Sequence, residues 1–257
     1  MNPTGRPKGE FRSAQHEGTL MTPRHNQLLA ALPAAEWARW QPHLEPVALA
    51  YGQVLFESGS TPASVVFPTT AVVSLSYMTR DGSSAEVAVV GNEGMVGISL
   101  IMGGDAMPGR ALVQSAGQGY RLSAPLIQAA VARGGAVLNL LLRYTQSLIV
   151  QTAQTAACNR HHTIAQQVSR RLLMGLDRSH SQEMAMTQEA VAHLLGVRRE
   201  GVTAAAQKLQ QAGLIRYRRG HIAVLDRQRL EQHTCECYAV AKKEYRRLLP
   251  MPMPLAA

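Results

Sequence analysis

The spacing of hydrophobic and polar residues changes twice along the chain. Residues 26–40 read as a short helix interrupted by Pro33, with 34–40 as its second piece. From about 47 to 122 the pattern shortens to alternating or β-branched runs, at 64–67, 71–78 and 86–90. Gly52, Gly59, Pro62, Asp81-Gly82, Gly91 and Gly103-Gly104 separate these runs. Short strands punctuated in this way predict a small, mainly antiparallel barrel, and Asp81-Gly82 makes a good hairpin turn because glycine tolerates positive φ. After Pro125 the pattern turns helical, and 136–159 contains neither proline nor glycine. Such a helix is about 36 Å long at 1.5 Å per residue. Leu138, Leu141, Leu148, Thr152 and Thr155 form a narrow stripe on it, which predicts pairing with a second copy of the chain. The alternative is burial against its own barrel.

The sharpest pattern lies in 186–226, MTQEAVAHLLGVRREGVTAAAQKLQQAGLIRYRRGHIAVLD. Thr187 is a natural N-cap for a short helix that buries Ala190, Val191, Leu194 and Leu195, and Gly196 ends it. A second helix over 199–212 buries Val202, Ala206 and Leu209 and stops at Gly213. Strands at 214–217 and 221–225, turned through Arg218-Arg219-Gly220, form a wing. Two short helices joined by a glycine-containing turn are a helix-turn-helix, whose second helix presents its N-terminal residues to base edges in the DNA major groove. Arg199 and Glu200 occupy that place, since arginine pairs with guanine O6 and N7 and glutamate accepts from cytosine N4. Thr203, one turn on, is a further base contact. Thr187, Gln188 and Arg198 are placed to hold phosphates, and Arg216, Arg218, Arg219 and His221 on the wing reach a flanking backbone.

Composition and charge sharpen this picture. The 257 residues are 46% hydrophobic and 17% charged, which excludes a fully disordered chain and allows roughly two domains. The formal charge of +9 points to an anionic partner. It is also unevenly spread. Between 160 and 221 ten Lys and Arg, among them Arg170, Arg171 and Arg178, oppose four acids, whereas 45–125 is net acidic. This split predicts a phosphate-binding C-terminal domain behind a sensing or scaffolding N-terminal one. No uninterrupted apolar run of about 18 residues exists, so no membrane span is expected. Residues 1–25 lack the apolar core of a signal peptide and read as a mobile tail.

Thr187-Gln188-Glu189, Leu195-Gly196-Val197, Arg199-Glu200, Gly213-Leu214-Ile215 and 222–226 together resemble the C-terminal domain of the catabolite activator protein and fumarate-nitrate regulator (Crp/Fnr) family of bacterial transcription factors. The order of parts over roughly 30–230 is similar as well. The resemblance implies a jelly-roll effector domain, a long dimer helix and a winged domain that binds a palindromic DNA site as a homodimer, with RNA polymerase as a further candidate partner. Ala204 stands where the catabolite activator branch has a third long base-reading side chain, so a different DNA site is expected. Cyclic-nucleotide-binding members hold the ligand with a glutamate and a downstream arginine. The corresponding stretch here is 94–100 followed by Gly109-Arg110-Ala111, so Gly97, Ile98, Arg110 and Ala111 mark the effector pocket. Ile98 replaces the acid and cannot accept the ribose hydroxyl, so a cyclic nucleotide is disfavoured and no cofactor is assigned.

Cys158, Cys235 and Cys237 are too few for a disulfide framework, which fits a reducing, cytoplasmic setting. The N-terminal tail has no cysteine, and hence no iron-sulfur ligand set of the family's kind. His233, Cys235 and Cys237 raise a metal or redox site, but no fourth ligand is evident. The thiols therefore read as buried or incidental, no metal is assigned, and His161-His162 reads as a structural hinge.

The expected fold is thus α+β: an N-terminal β jelly-roll or barrel, a long dimerisation helix and a C-terminal winged helix-turn-helix. The expected parts are a flexible tail (1–25), a cyclic-nucleotide-binding-like effector domain (26–135), the dimerisation helix (136–159), the DNA-binding domain (160–230) and a C-terminal extension (231–257). No P-loop, Ser-His-Asp signature, zinc-protease motif or spaced carboxylate pair points to an enzyme. Two alternatives stay open. One is a ligand-independent regulator with a vestigial pocket. The other is a small-molecule-binding protein or enzyme whose helix-turn-helix is a packing unit.

Overall fold

The computed structural model describes residues 21–179, 183–218 and 220–249. Residues 1–20 of the expected tail, Arg219 of the expected wing tip and the proline-punctuated end from Pro250 lie outside the described residues. Residues 21–25 are not a tail, because Met21 is bonded to the barrel and Pro23–His25 form a 3-10 turn. The Met21 N–H donates to Gln118 Oε1 (3.2 Å), and the Tyr120 hydroxyl donates to the Met21 carbonyl (2.7 Å). The 3-10 turn Pro23–His25 leads into helices α1 (Gln27–Ala30) and α2 (Ala34–Trp40). Pro33, which interrupts the helical pattern, is the N-cap of α2. Buried Asn26 caps α1 through Oδ1 and donates from Nδ2 to the carbonyls of Pro68 and Gly94, bolting the helix to the barrel.

The strands follow as β1 (Glu45–Leu49), β2 (Val54–Phe56), β3 (Ser64–Pro68), β4 (Val72–Met78) and β5 (Ser84–Val90). After the short helix α3 (Ser99–Met102) come β6 (Gly109–Ser115) and β7 (Gly117–Ser123). They pair antiparallel in two sheets, ordered β1-β7-β3 and β2-β6-β4-β5. Phe67, Val73, Val90, Val113 and Leu122 are fully buried in their common core, each worth about 1.5–3 kcal/mol of burial. Asp81-Gly82 sits at the tip of the β4–β5 hairpin as expected. Gly82 has φ +86°, and Asp81 Oδ1 accepts from the Ser83 N–H (3.1 Å) and the Thr79 hydroxyl.

Helices α4 (Ala124–Arg133) and α5 (Gly135–His161) meet at a bend of 110°. The bend needs glycine, since Gly134 and Gly135 both have positive φ, at +71° and +73°. No single helix among the described residues is long and apolar enough to cross a membrane. The expected stripe on α5 is corrected in phase. Leu141, Leu148 and Thr155 are buried within their own chain and Leu138 is half-buried, while Thr152 of the same stripe is exposed. The outward row is Leu142, Gln146, Ile149, Ala153 and Ala156, with Leu142 51% and Ile149 59% exposed. α5 carries apolar residues on two faces, and the barrel claims the one that the spacing singled out.

The C-terminal half comprises α6 (Ile164–Leu176), β8 (Glu183–Ala185), α7 (Gln188–Leu195), α8 (Arg199–Gln211), β9 (Ile215–Arg218), β10 (His221–Val224), α9 (Arg227–His233) and α10 (Glu236–Leu248). Leu172, Leu173, Val191, Val202, Leu209 and Ile215 form its separate core. The wing has a third strand that the sequence pattern did not indicate, because β8 pairs with β10 in the order β8-β10-β9. α10, within the expected extension, joins the two halves. Tyr238 lies in the C-terminal core, while Leu248 and Leu249 are buried in the barrel core and Tyr245 packs against it.

Candidate functional site

The helix-turn-helix is built by local chemistry. Thr187 Oγ1 accepts from the Ala190 N–H (3.0 Å) to start α7. Gly196, at φ +65°, ends it, with the Val197 N–H returning to the Ala192 carbonyl (3.0 Å). α8 then begins at Arg199. Arg198, Arg199 and Glu200 are exposed, and among the described residues their side chains have no hydrogen-bond or ion-pair partner. Glu200 suits the positive end of the helix dipole, whereas two arginines there are unfavourable for the isolated helix. Together with the free N–H groups of the first turn, they make a surface that attracts anions.

Gln188 and Thr203, expected as a phosphate and a base contact, are bonded to each other. The Thr203 hydroxyl donates to Gln188 Oε1 (2.7 Å), and the Gln188 N–H donates to the Tyr217 hydroxyl (3.0 Å). These bonds fix α7, α8 and the wing relative to one another. The Met186 N–H donates to the Gly220 carbonyl (2.7 Å), and the Cα of Gly220, at φ +82°, faces the Thr187 methyl. The wing turn therefore adjoins the start of α7. Arg216, Arg218 and His221 are exposed on the wing, and Arg216 Nη2 lies 3.6 Å from Glu183. Ala204, at the departure from the catabolite activator pattern, is exposed. Gly201 carries no signal in the helical spacing of α8 but is needed by its packing. A Cβ there would lie 2.6 Å from Ile164 Cδ1, so glycine lets α8 pass close to α6.

Three arginines of the basic segment face inward instead. Arg171 Nε lies 2.5 Å from Glu86 Oε1, with both side chains buried; its N–H is poorly aimed, so the contact is an ion pair. Arg178 Nε donates to Glu93 Oε1 (2.5 Å) and Nη1 to the Met174 carbonyl (2.8 Å). Burial opposes the Arg178 charge, but the Glu93 carboxylate more than offsets it and raises the guanidinium pKa. Arg170 Nη2 donates to Thr155 on α5 (2.7 Å). On α5 itself, Gln151 accepts from the Val89 N–H (2.6 Å) and donates to the Val89 carbonyl (3.3 Å). Tyr245 on α10 donates to the Glu93 carbonyl (2.6 Å). Burial pushes this phenol's pKa up, keeping it a neutral donor.

The barrel and α5 border an open cavity of about 460 Å³. Gly97, Ile98, Arg110 and Ala111 all line it, as do Leu148 and Ile149 from α5. Leu75, Val87, Met102 and Met107 make much of the remaining wall apolar. Arg110 Nη2 lies 3.3 Å from Glu57 at the rim, while its Nε is buried with no hydrogen-bond partner among the described residues.

The cysteines also come together. The ligand atoms of Cys158, His162, Cys235 and Cys237 all lie within 4.8 Å of one another. Cys158 and His162 close α5, Cys235 is the N-cap of α10, and Cys237 sits in its first turn. His233, grouped with the two cysteines by sequence spacing, instead places Nδ1 3.4 Å from the Ser169 hydroxyl. The missing members were Cys158 and His162, whose spacing of four puts them on one helical face. A thiol proton shared between Cys158 and Cys235 lowers the pKa of Cys235 and raises that of Cys158.

Residues 166–233 match the family model of the Crp-like helix-turn-helix domain. No curated protein matches the chain by sequence. Solved structures share its fold at low identity. A chain from Eubacterium rectale assigned to the Crp/Fnr family of transcriptional regulators is 17% identical, with 81% of this chain and 98% of that chain covered and a TM-score of 0.65. FixK2 from Bradyrhizobium japonicum is 16% identical over 75% of this chain and 98% of its own, with a TM-score of 0.62. The c-di-GMP responsive global regulator CLP from Xanthomonas campestris is 17% identical over 76% of this chain and 100% of its own, with a TM-score of 0.57. The expected resemblance holds: a Crp-like helix-turn-helix domain is carried on the fold of Crp/Fnr regulators.

Proposed function

We propose, from a Crp-like helix-turn-helix domain on a Crp/Fnr fold, that this chain is a sequence-specific DNA-binding transcription regulator that acts as a homodimer and is gated through its barrel cavity. The observation that carries the reading is the unpaired Arg198-Arg199-Glu200 edge at the start of α8, adjoining a wing that exposes Arg216, Arg218 and His221. Arg199 and Glu200 read bases; Arg198, Thr187 and the wing cations grip phosphates. Gln188 and Thr203 first hold the two helices together, so any DNA contact they make is shared with that bond.

The exposed row of Leu142, Ile149, Ala153 and Ala156 supports dimerisation through α5, because an apolar row on a long helix gains by pairing with its copy, and Ile149, Ala153 and Ala156 also border the cavity, so a partner helix there would adjoin it. Gating has its support in the cavity, which touches both the barrel and α5, the helix that runs to the joint with the DNA-binding domain. Its apolar wall suits a ligand largely apolar in character, with one anionic or acceptor group for the spare Arg110 donor.

Selection of random duplexes on the purified protein tests the reading. A palindrome with half-sites about 10–10.5 base pairs apart is expected, as two α8 helices in successive major grooves require. Leu142→Glu, on the outward row and away from the cavity, should give monomers in sedimentation and lose binding to that palindrome. Repeating the selection with cyclic AMP, cyclic GMP and cyclic di-GMP should leave it unchanged if Ile98 excludes nucleotides. Failure to enrich any sequence, with or without these ligands, would count against sequence reading by α8.

A further inference from the structure

Four side chains that play no part in DNA reading or in the cavity converge where α5 ends and α10 begins. We propose that Cys158, His162, Cys235 and Cys237 form a closed, four-coordinate site for a zinc-class divalent cation, stapling the end of the long helix to the start of α10. The geometry points to this class of metal. Tetrahedral zinc, with Zn–S near 2.3 Å and Zn–N near 2.0–2.1 Å, sets its ligand atoms about 3.4–3.8 Å apart. Cys158 Sγ lies 3.5 Å from Cys235 Sγ, and Cys237 Sγ lies 3.6 Å from His162 Nδ1. An iron-sulfur cluster needs its thiolates spread around a wider inorganic core than four atoms within 4.8 Å can enclose. Calcium and magnesium want oxygen ligands and do not suit three sulfurs and an imidazole.

The surroundings fit the same assignment. The three cysteines are buried, and His162 is turned by a partner on its far side: Nε2 lies 3.3 Å from Glu236 Oε2. A carboxylate holding one imidazole nitrogen leaves the other, Nδ1, free to ligate, and Nδ1 is the atom facing Cys237. Three thiolates, a neutral imidazole and a divalent cation carry one net negative charge. Buried Arg170 supplies a balancing cation: it donates to Thr155, one turn before Cys158 on α5, and its buried Nε lacks a hydrogen-bond partner among the described residues. All four coordination positions belong to the protein, so the site is structural in type, with no open position for substrate.

Its place gives it a consequence. His162 is the C-cap of α5 and Thr163 the N-cap of α6, so the site spans the joint between the helix that lines the cavity and the domain that carries α8. α10 runs from this site back to the barrel core. Metal occupancy therefore fixes that joint.

The test is titration of the reduced, full-length protein with cobalt(II), a spectroscopic probe of the same coordination. One equivalent per chain should bind, with thiolate-to-cobalt charge-transfer bands and the intense d–d bands of tetrahedral coordination, and zinc should displace it. Cys235→Ser and Cys237→Ser should each lower the charge-transfer intensity by about one thiolate's share and weaken cobalt binding. Glu236→Gln, on the surface, should keep the spectrum but weaken zinc about 10–100-fold in competition with a chromophoric chelator. The wild-type titration and Glu236→Gln do not depend on whether the serine variants fold. A titration without charge-transfer bands overturns the site, as does isolation of the protein metal-free with a Cys158–Cys235 disulfide that excludes cobalt.

Discussion

Two sets of arginines share one basic stretch of sequence and face opposite ways. Arg198, Arg199 and Arg218 stand on the surface around α8 and the wing, while Arg170, Arg171 and Arg178 on and just after α6 are turned against α5 and the barrel. The net charge of the segment counts both sets alike, yet only the first is free to meet an anion. Arg171 and Arg178 of the second set meet two of the acids that make the barrel region net acidic, Glu86 and Glu93, so part of the charge split between the halves is neutralised inside the molecule. Removing one member from each set should separate stability from DNA binding. The largest effect is expected at Arg171→Ala, which leaves Glu86 buried without its cation and should cost about 3–5 kcal/mol of stability. Urea denaturation would read this as a fall in midpoint, whereas Arg199→Ala should move it by less than about 0.5 kcal/mol equivalent. Replacing Arg171 and Glu86 together with leucine should recover most of the loss, because an apolar pair of similar volume carries no stranded charge. A loss as large in the double variant would mean that packing, not the ion pair, holds this seam.

The same contrast explains what sequence reasoning could reach. Strands, helix-turn-helix and the long helix were legible because each is written in a local period or a local cap: the alternation at β3 to β5, Thr187 and Gly196 around α7, the uninterrupted run of α5. The faces of those elements were less legible. α5 is apolar on two sides, and only the barrel's position decides that Leu141 goes in and Leu142 stays out. Thr203 looked like a base contact from its place one turn into α8, but its hydroxyl is engaged by Gln188, fifteen residues earlier. The cysteine cluster needs partners 77 residues apart, and no local spacing announces that. α10 was hidden for a similar reason, since its apolar residues serve a different core at each end.

On the outward set, Arg199→Ala should leave folding intact and weaken the selected site by about 1–3 kcal/mol, with the preference relaxed at a single base pair of each half-site. Binding curves on a panel of single-base variants of that site would measure it. Equal losses on every variant and on random DNA would move Arg199 from the bases to the backbone, and would leave Glu200 as the base-reading member of the pair.

The smallest effect should come from the wing. Arg218 is exposed opposite His221 in the β9–β10 register and can add only a phosphate contact, whose strength resides in counterion release. Arg218→Ala should therefore weaken selected and random duplexes alike, and lower the slope of log affinity against log salt by about one. Stability should not change, since no buried partner is left behind. The two arginines lie in one domain and carry the same charge, so a shared loss of affinity cannot distinguish them; the salt slope and the base panel can. If Arg218→Ala instead relaxed sequence preference while sparing the salt slope, the wing would be entering a groove rather than lying on the backbone, and base reading would extend beyond α8.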